Sequence, residues 1–242
     1  MKILVVSSEV VPFAKTGGLA DVAGTLPVEL AALGHDVRVV MPKYAAVDDA
    51  KHHLVPILGD IFVRLGDDTY TAHVQRTHFG GTKVPVYFIQ SGQFFERDGL
   101  YQEEGRDYPD NALRFAFFCK AVIWLLKGLD WTPDVIQCND WQTALIPVYL
   151  RTQPDMVADE WLSQIKVLYT IHNLAYQGLF DLPDAAQIDI APELLGLAGM
   201  EFYGKLNLMK GGLLFADAIS TVSKTYSKEI QTQEFGAGLE GV

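Results

Sequence analysis

The chain has 242 residues, 49% hydrophobic and 20% charged. That is long enough to bury roughly 70–75% of the unfolded surface in a core, and too apolar for a disordered segment. A formal net charge of −11, from 30 acidic against 19 basic residues, repels a phosphate backbone, and no Lys/Arg cluster offers an exception, so nucleic acid is excluded as a partner. A nucleotide or sugar phosphate stays open, because one lysine and a few backbone N–H groups can hold a diphosphate inside an acidic protein.

Ile3 to Val6 is a short unbroken apolar run, as in a strand buried on both faces. Leu19, Val22, Ala23, Leu26, Leu30 and Leu33 then recur at helical spacing, with Gly34 placed to end the helix and Pro27 predicting a kink or break inside it. Val37 to Met41 reads as a second buried strand, reached by a right-handed connection. Val55 to Leu65, Tyr70 to His78 and Val84 to Ile89 are β-rich and separated by Gly66-Asp67-Asp68 and Gly80-Gly81-Thr82, which predicts a small antiparallel meander. Tyr101 to Tyr108 is a polar loop. Ala112 to Leu126 is a nearly all-apolar helix ended by Gly128; Arg114 and Lys120 interrupt it, so it is no membrane span.

Three further units follow. They are strand Val135–Cys138 with a helix from about Trp141, strand Ile165–Ile171 with a long loop, and helix Leu206–Phe215 leading into strand Ala218–Val222, where Ser223 can cap the last helix. Alternating strands and helices predict one α/β domain, a mostly parallel Rossmann-like sheet with helices on both faces. Cys119 and Cys138, in apolar runs, read as buried thiols. The N-terminus lacks the apolar stretch of a signal peptide, so a soluble, cytoplasmic protein with no membrane contact is expected.

Ligands of open parallel sheets sit beyond the carboxyl ends of the strands. Three segments lie there. In Lys15-Thr16-Gly17-Gly18, two glycines opening a helix expose N–H groups to an anion beside a mobile cation, or else form an ordinary turn. Asp140, in Asn139-Asp140-Trp141, is either a helix cap or a carboxylate that accepts from sugar hydroxyls. His172-Asn173 either starts a turn or faces the cleft. The remaining histidines show no metal-ligand spacing, and Tyr101 is an isolated aromatic.

Taken together, Lys15-Thr16-Gly17-Gly18-Leu19-Ala20-Asp21-Val22, Asn139-Asp140-Trp141, Thr170 through Gly178 (T-I-H-N-L-A-Y-Q-G), Lys210-Gly211-Gly212 and the ending from Thr221-Val222-Ser223 through Glu234-Phe235-Gly236 to Gly241 resemble the bacterial glycogen synthases and plant starch synthases, in that family's order. The resemblance implies the N-terminal lobe, residues 1–242, of a two-lobed GT-B glycosyltransferase, with the C-terminal nucleotide-binding lobe absent. It implies ADP-glucose as donor, the non-reducing end of an α-1,4-glucan as acceptor, retention of configuration, and no metal or cofactor. Lys15 would hold the distal phosphate with the Gly17-Gly18 backbone. Asp140, His172 and Asn173 would line the glucose and acceptor side, with Asp140 and His172 nearest the chemistry, and Tyr101 matches an active-site loop tyrosine. The family points to same-face transfer, in which the departing phosphate helps deprotonate the acceptor and the enzyme positions and stabilises. Two departures stand out: Gln137 where the family usually has His, a position the family places close to the cleft and its acceptor contacts, and Gln142 where His is frequent. Rival readings are a GT-B enzyme with another nucleotide sugar such as UDP-glucose, a non-catalytic glucan- or partner-binding module, and a dinucleotide-binding protein, the last disfavoured by the lack of G-x-G-x-x-G.

Overall fold

The computed structural model describes residues 1–242. In chain order the elements begin with β1 (Lys2–Val6), α1 (Gly18–Ala32), β2 (Asp36–Pro42), α2 (Asp49–His52), β3 (Val55–Leu65), β4 (Asp68–His78), β5 (Pro85–Gln90) and α3 (Gly92–Phe95). A two-residue hairpin, β6 (Gln102–Glu103) and β7 (Arg106–Asp107), sits in the polar loop ahead of α4 (Asn111–Gly128). There follow β8 (Val135–Asn139), a single 3-10 turn at Trp141–Thr143, α5 (Leu145–Thr152), α6 (Pro154–Val157), β9 (Lys166–Ile171), β10 (Leu179–Asp181) and α7 (Asp184–Gln187). β11 (Glu201–Phe202), β12 (Lys205–Asn207), α8 (Leu208–Phe215), β13 (Ala218–Thr221) and α9 (Lys224–Glu229) complete the chain.

Eight strands form one sheet in the order β13-β9-β8-β1-β2-β5-β4-β3. The six from β13 to β5 run parallel, which explains the continuous apolar character of β1, β2 and β9: both faces are covered and both edges paired. The expected meander is present in β3, β4 and β5, but it is not a separate sheet. β5 pairs in parallel with β2 (Val39 opposite Val86), so the antiparallel strands extend the same surface. A second small antiparallel sheet, β10-β12-β11, lies after β9.

The connection through α1 steps from β1 toward β2, whereas those through α4, α5 and α8 step the other way along the sheet. Right-handed crossovers therefore put α1 on one face and the other three helices on the opposite face. α5 accordingly packs against both α4 and α8. α4 is buried almost all round, as its apolar run predicts. Its one internal arginine, Arg114, is fully buried and donates to the carbonyls of Phe94 (2.7 Å) and Leu100 (3.2 Å) and to Asn111 Oδ1 (2.7 Å). No helix is long and apolar enough to cross a membrane.

Of the kink or break expected at Pro27, the break does not occur: α1 runs on through it, because Leu19, Ala20, Ala23 and Pro27 form one buried stripe. Packing of that stripe outweighs the helix cost of a proline, about 3 kcal/mol. α4 ends at Gly128, as expected, beside Leu58; the left-handed residue that turns the chain is not the glycine but Asp130, at φ 48°.

Candidate active site

The ends of β1, β8 and β9 are neighbours in the sheet, so the three segments singled out in the sequence meet along one rim. At the end of β8, Asn139 ties the strands together. Its amide nitrogen donates to the Val6 carbonyl of β1 (2.9 Å), which turns its Oδ1 toward His172 Nε2 at 2.8 Å. His172 therefore carries its proton on Nε2, and its Nδ1, which makes no hydrogen bond within the chain, is left as an acceptor. Burial lowers the His172 pKa to about 4, so the ring is neutral at physiological pH.

Asp140 neither caps the following turn nor sits in relaxed backbone. Its carboxylate accepts from the backbone N–H of His172 (2.7 Å) and, more weakly, Asn173 (3.4 Å), bracing the loop after β9. Its φ of 56° with ψ of −177° lies in a region that is essentially glycine's own, at a cost on the order of 1–3 kcal/mol. The residue is 8% exposed, and burial raises its pKa to about 7; the two backbone N–H groups pull the other way. Strain and desolvation at one residue mark a functional position more strongly than either alone.

Asn173 behaves differently. Its Oδ1 accepts from the Ala175 N–H (3.0 Å), closing a local turn, and the residue is exposed, with its amide nitrogen making no hydrogen bond within the chain. Trp141 forms the floor of this half of the site: its ring packs against Phe115 and Phe180, and Gly178, at φ 66°, has no room for a Cβ beside it.

At the end of β1, Lys15 and Thr16 lead into α1 over Gly17 and Gly18. Neither glycine needs to be one for internal reasons. Gly17 has extended backbone (φ −143°), Gly18 is helical, and a Cβ at either would meet nothing within 4 Å. Gly211-Gly212 is the opposite case, since a Cβ on Gly212 would lie 2.6 Å from the Tyr169 ring. The Gly17-Gly18 pair thus leaves open space over the start of a fifteen-residue helix, where an anion is favoured. Lys15 Nζ lies 2.7 Å from Asp21 Oδ1, with both side chains about half exposed, a pairing weak enough for a better anion to displace.

Tyr101 comes to this same place. Its hydroxyl donates to Glu9 Oε1 (2.7 Å) and accepts from Ser8 Oγ (2.7 Å), and its ring reaches Trp141 through Phe115. Burial first, then Tyr44 and Glu9, push its pKa up, so the phenol keeps its proton. Two contributors were missed in the sequence: Glu9, and Asn139 as the partner of His172. The available signal for Glu9 was a lone acid set between Val6 and Val10 at the end of a buried strand. Gln137 lies within the sheet and not at the rim, donating to Thr170 Oγ1 (3.1 Å), which meets Ser220 Oγ (2.9 Å) across the next strand. Gln142 is buried, with its Oε1 unpartnered. No group of three His, Cys, Asp or Glu side chains is arranged to hold a metal ion.

The family model for the starch synthase catalytic domain matches residues 2–242. The chain belongs to the starch synthase catalytic-domain family. It is similar to a glycogen synthase 2 of Geobacter metallireducens, at 48% identity over the whole chain and 49% of that protein, and to a glycogen synthase of Moorella thermoacetica, at 44% identity over the whole chain and 47% of that protein. In fold it is similar to the catalytic domain of starch synthase IV from Arabidopsis thaliana, solved with ADP and acarbose, with a TM-score of 0.86 and 29% identity over 98% of this chain and 48% of that one. The chain spans about half the length of the curated relatives it matches.

Proposed function

We propose that this chain is the N-terminal lobe, residues 1–242, of a GT-B enzyme that transfers glucose from ADP-glucose to the non-reducing end of an α-1,4-glucan with retention of configuration. The observation that carries the reading is the pair Gly17-Gly18, glycine for no reason internal to the chain, over a helix start flanked by a displaceable lysine. The relatives named glycogen synthase and the starch synthase solved with ADP and acarbose support it.

In this reading the α1 amides and Lys15 take the distal phosphate of ADP and stabilise the charge that grows as the bond from C1 to the phosphate oxygen breaks. The acceptor oxygen bonds to C1 on the same face, and its proton passes to the departing diphosphate. Neutral His172 accepts a sugar hydroxyl at Nδ1 and serves no acid role, consistent with its lowered pKa. Asp140 accepts further hydroxyls while bracing the His172 loop, and Tyr101 and the amide nitrogen of Asn173 complete the glucose side. The nucleotide-binding lobe, which lies outside this chain, supplies the base pocket.

The test is transfer of labelled glucose from ADP-glucose to glycogen by the complete protein. Lys15→Ala is expected to lower kcat/KM about 10²- to 10³-fold, the scale of losing one donor to a developing anion. Because the Lys15–Asp21 pair is solvent-exposed, the melting temperature should barely move. The 242-residue chain alone is expected to transfer nothing. Turnover by that chain, or an undiminished Lys15→Ala enzyme, would refute the assignment.

A further inference from the structure

Glu9 has surroundings unlike those of a surface acid. It is 4% exposed, and no lysine, arginine or histidine pairs with it. Its neighbour in the loop, Lys15, pairs with Asp21 instead. The charge is instead met by hydrogen bonds from two separate segments. Oε2 accepts from the backbone N–H of Thr16 and of Gly17 (3.1 Å); Oε1 accepts from Thr16 Oγ1 (2.6 Å) and from the Tyr101 hydroxyl (2.7 Å). Ninety-two residues separate Glu9 from Tyr101 in sequence, so this one carboxylate joins the glycine loop to the excursion that carries β6 and β7. A buried carboxylate is costly, and apolar packing would hold a strand end equally well, so four convergent donors point to a geometric task.

We propose that Glu9 is a positioning residue, whose carboxylate fixes the Lys15–Gly18 loop and the Tyr101 hydroxyl relative to each other and thereby sets which amides are left for an anionic ligand. The Thr16 and Gly17 amides are spent on Glu9. Those of Gly18, Leu19 and Ala20, in the first turn of α1, have no acceptor in the chain. A phosphate is thus directed one step along the helix, away from the carboxylate and toward Lys15. This inference rests on the donor reading above, and it adds the residue that shapes the donor seat.

Variants of the complete protein test it with two independent readouts. The first is amide hydrogen exchange of the segment from residue 14 to 20, measured without any ligand. Glu9→Ala should free the Thr16 and Gly17 amides. Glu9→Gln should keep them protected, since its amide oxygen can still accept from both while its NH₂ faces two hydroxyls able to reverse. The second is kinetics. Glu9→Ala is expected to raise KM for ADP-glucose about 10- to 100-fold, the value of hydrogen bonds to a charged group, and Glu9→Gln to recover most of that loss. Glu9→Asp, one methylene shorter, should resemble Glu9→Ala. In a double-mutant cycle, Tyr101→Phe should cost little more on top of Glu9→Ala, because the oriented hydroxyl is already released. Unchanged exchange in Glu9→Ala, additive effects with Tyr101→Phe, or a fall in melting temperature with KM intact would each overturn the proposal. Wild-type protein inactive with ADP-glucose would sink the synthase reading instead, and the exchange measurement alone would then decide on Glu9.

Discussion

Asp140→Asn is expected to make this chain more stable at neutral pH while lowering transfer by the complete protein, because an NH₂ replaces the oxygen left to accept sugar hydroxyls. The Asp140 carboxyl titrates near 7 when folded, against an ordinary value of 3.8, because burial disfavours its charge. A raised acid pKa means the folded state holds its proton more tightly than the unfolded chain does. The resulting stability is present below about pH 4 and lost as the pH rises to about 7. By linkage the whole interval is worth about 4 kcal/mol. Asparagine escapes that loss. Its carbonyl can still accept from the His172 and Asn173 N–H groups, and asparagine carries the same backbone strain as aspartate at this φ and ψ, so the strain cancels in the comparison. The gain over wild type should therefore be small at pH 4, grow through pH 5 and 6, and level off above 7. His172 works in the opposite sense: its folded pKa of about 4 lies below the ordinary 6.5, so its contribution is lost as the pH falls from 6.5 toward 4. In wild type the two nearly cancel, and the substitution should expose the histidine as a steeper acid limb. Urea unfolding of both chains at half-unit pH steps measures this. A stability difference independent of pH would show that Asp140 is ionised without penalty.

Gly17→Val is expected to separate folding from function at the other end of the rim. Extended backbone suits valine, and its Cβ meets nothing, so the unfolding free energy should change by no more than about 1 kcal/mol, the scale of a helix N-cap exchange. A ligand that approaches the Gly17-Gly18 backbone loses that approach altogether, and turnover of the complete protein should fall by about 10³-fold or more. Gly212→Ala is the control. It drives a methyl into Tyr169 and Ala144 and should cost about 1–3 kcal/mol as overpacking, with activity lost only in proportion to folded protein. Similar losses of stability in both variants would remove the reason for placing a ligand over Gly17.

Periodicity made most of the framework legible. The apolar runs of β1, β2 and β9 and the single apolar stretch of α4 each have one simple structural solution. Partners were harder to read than elements. Nothing local to Pro85–Gln90 says that it will lie parallel to β2 while also ending an antiparallel meander, because pairing is decided by surfaces formed far away in sequence. The site shows the same division. Motifs led to Lys15, Asp140 and His172, but the strand-end carboxylate that joins two loops was invisible until the excursion carrying Tyr101 folded back onto it. Asp140 offered two readings, cap or ligand contact; its bracing of backbone amides thirty-two residues away is a third, available only in three dimensions.

The position of β1 bears on how the chain is made. It is the first strand of this chain in sequence order and lies near the middle of the sheet, between β2 and β8. Its partner on one side follows after a single helix. The other, carrying Val135 opposite Ile3, emerges only after α4 has left the ribosome. A growing chain can therefore build the half from β1 to β5 early, but it holds a bare apolar edge throughout that interval. Exposed edges recruit other strands, so nascent chains truncated between residues 90 and 134 should be the species that most need a chaperone. The proposed ligand rim is complete only when that edge is covered.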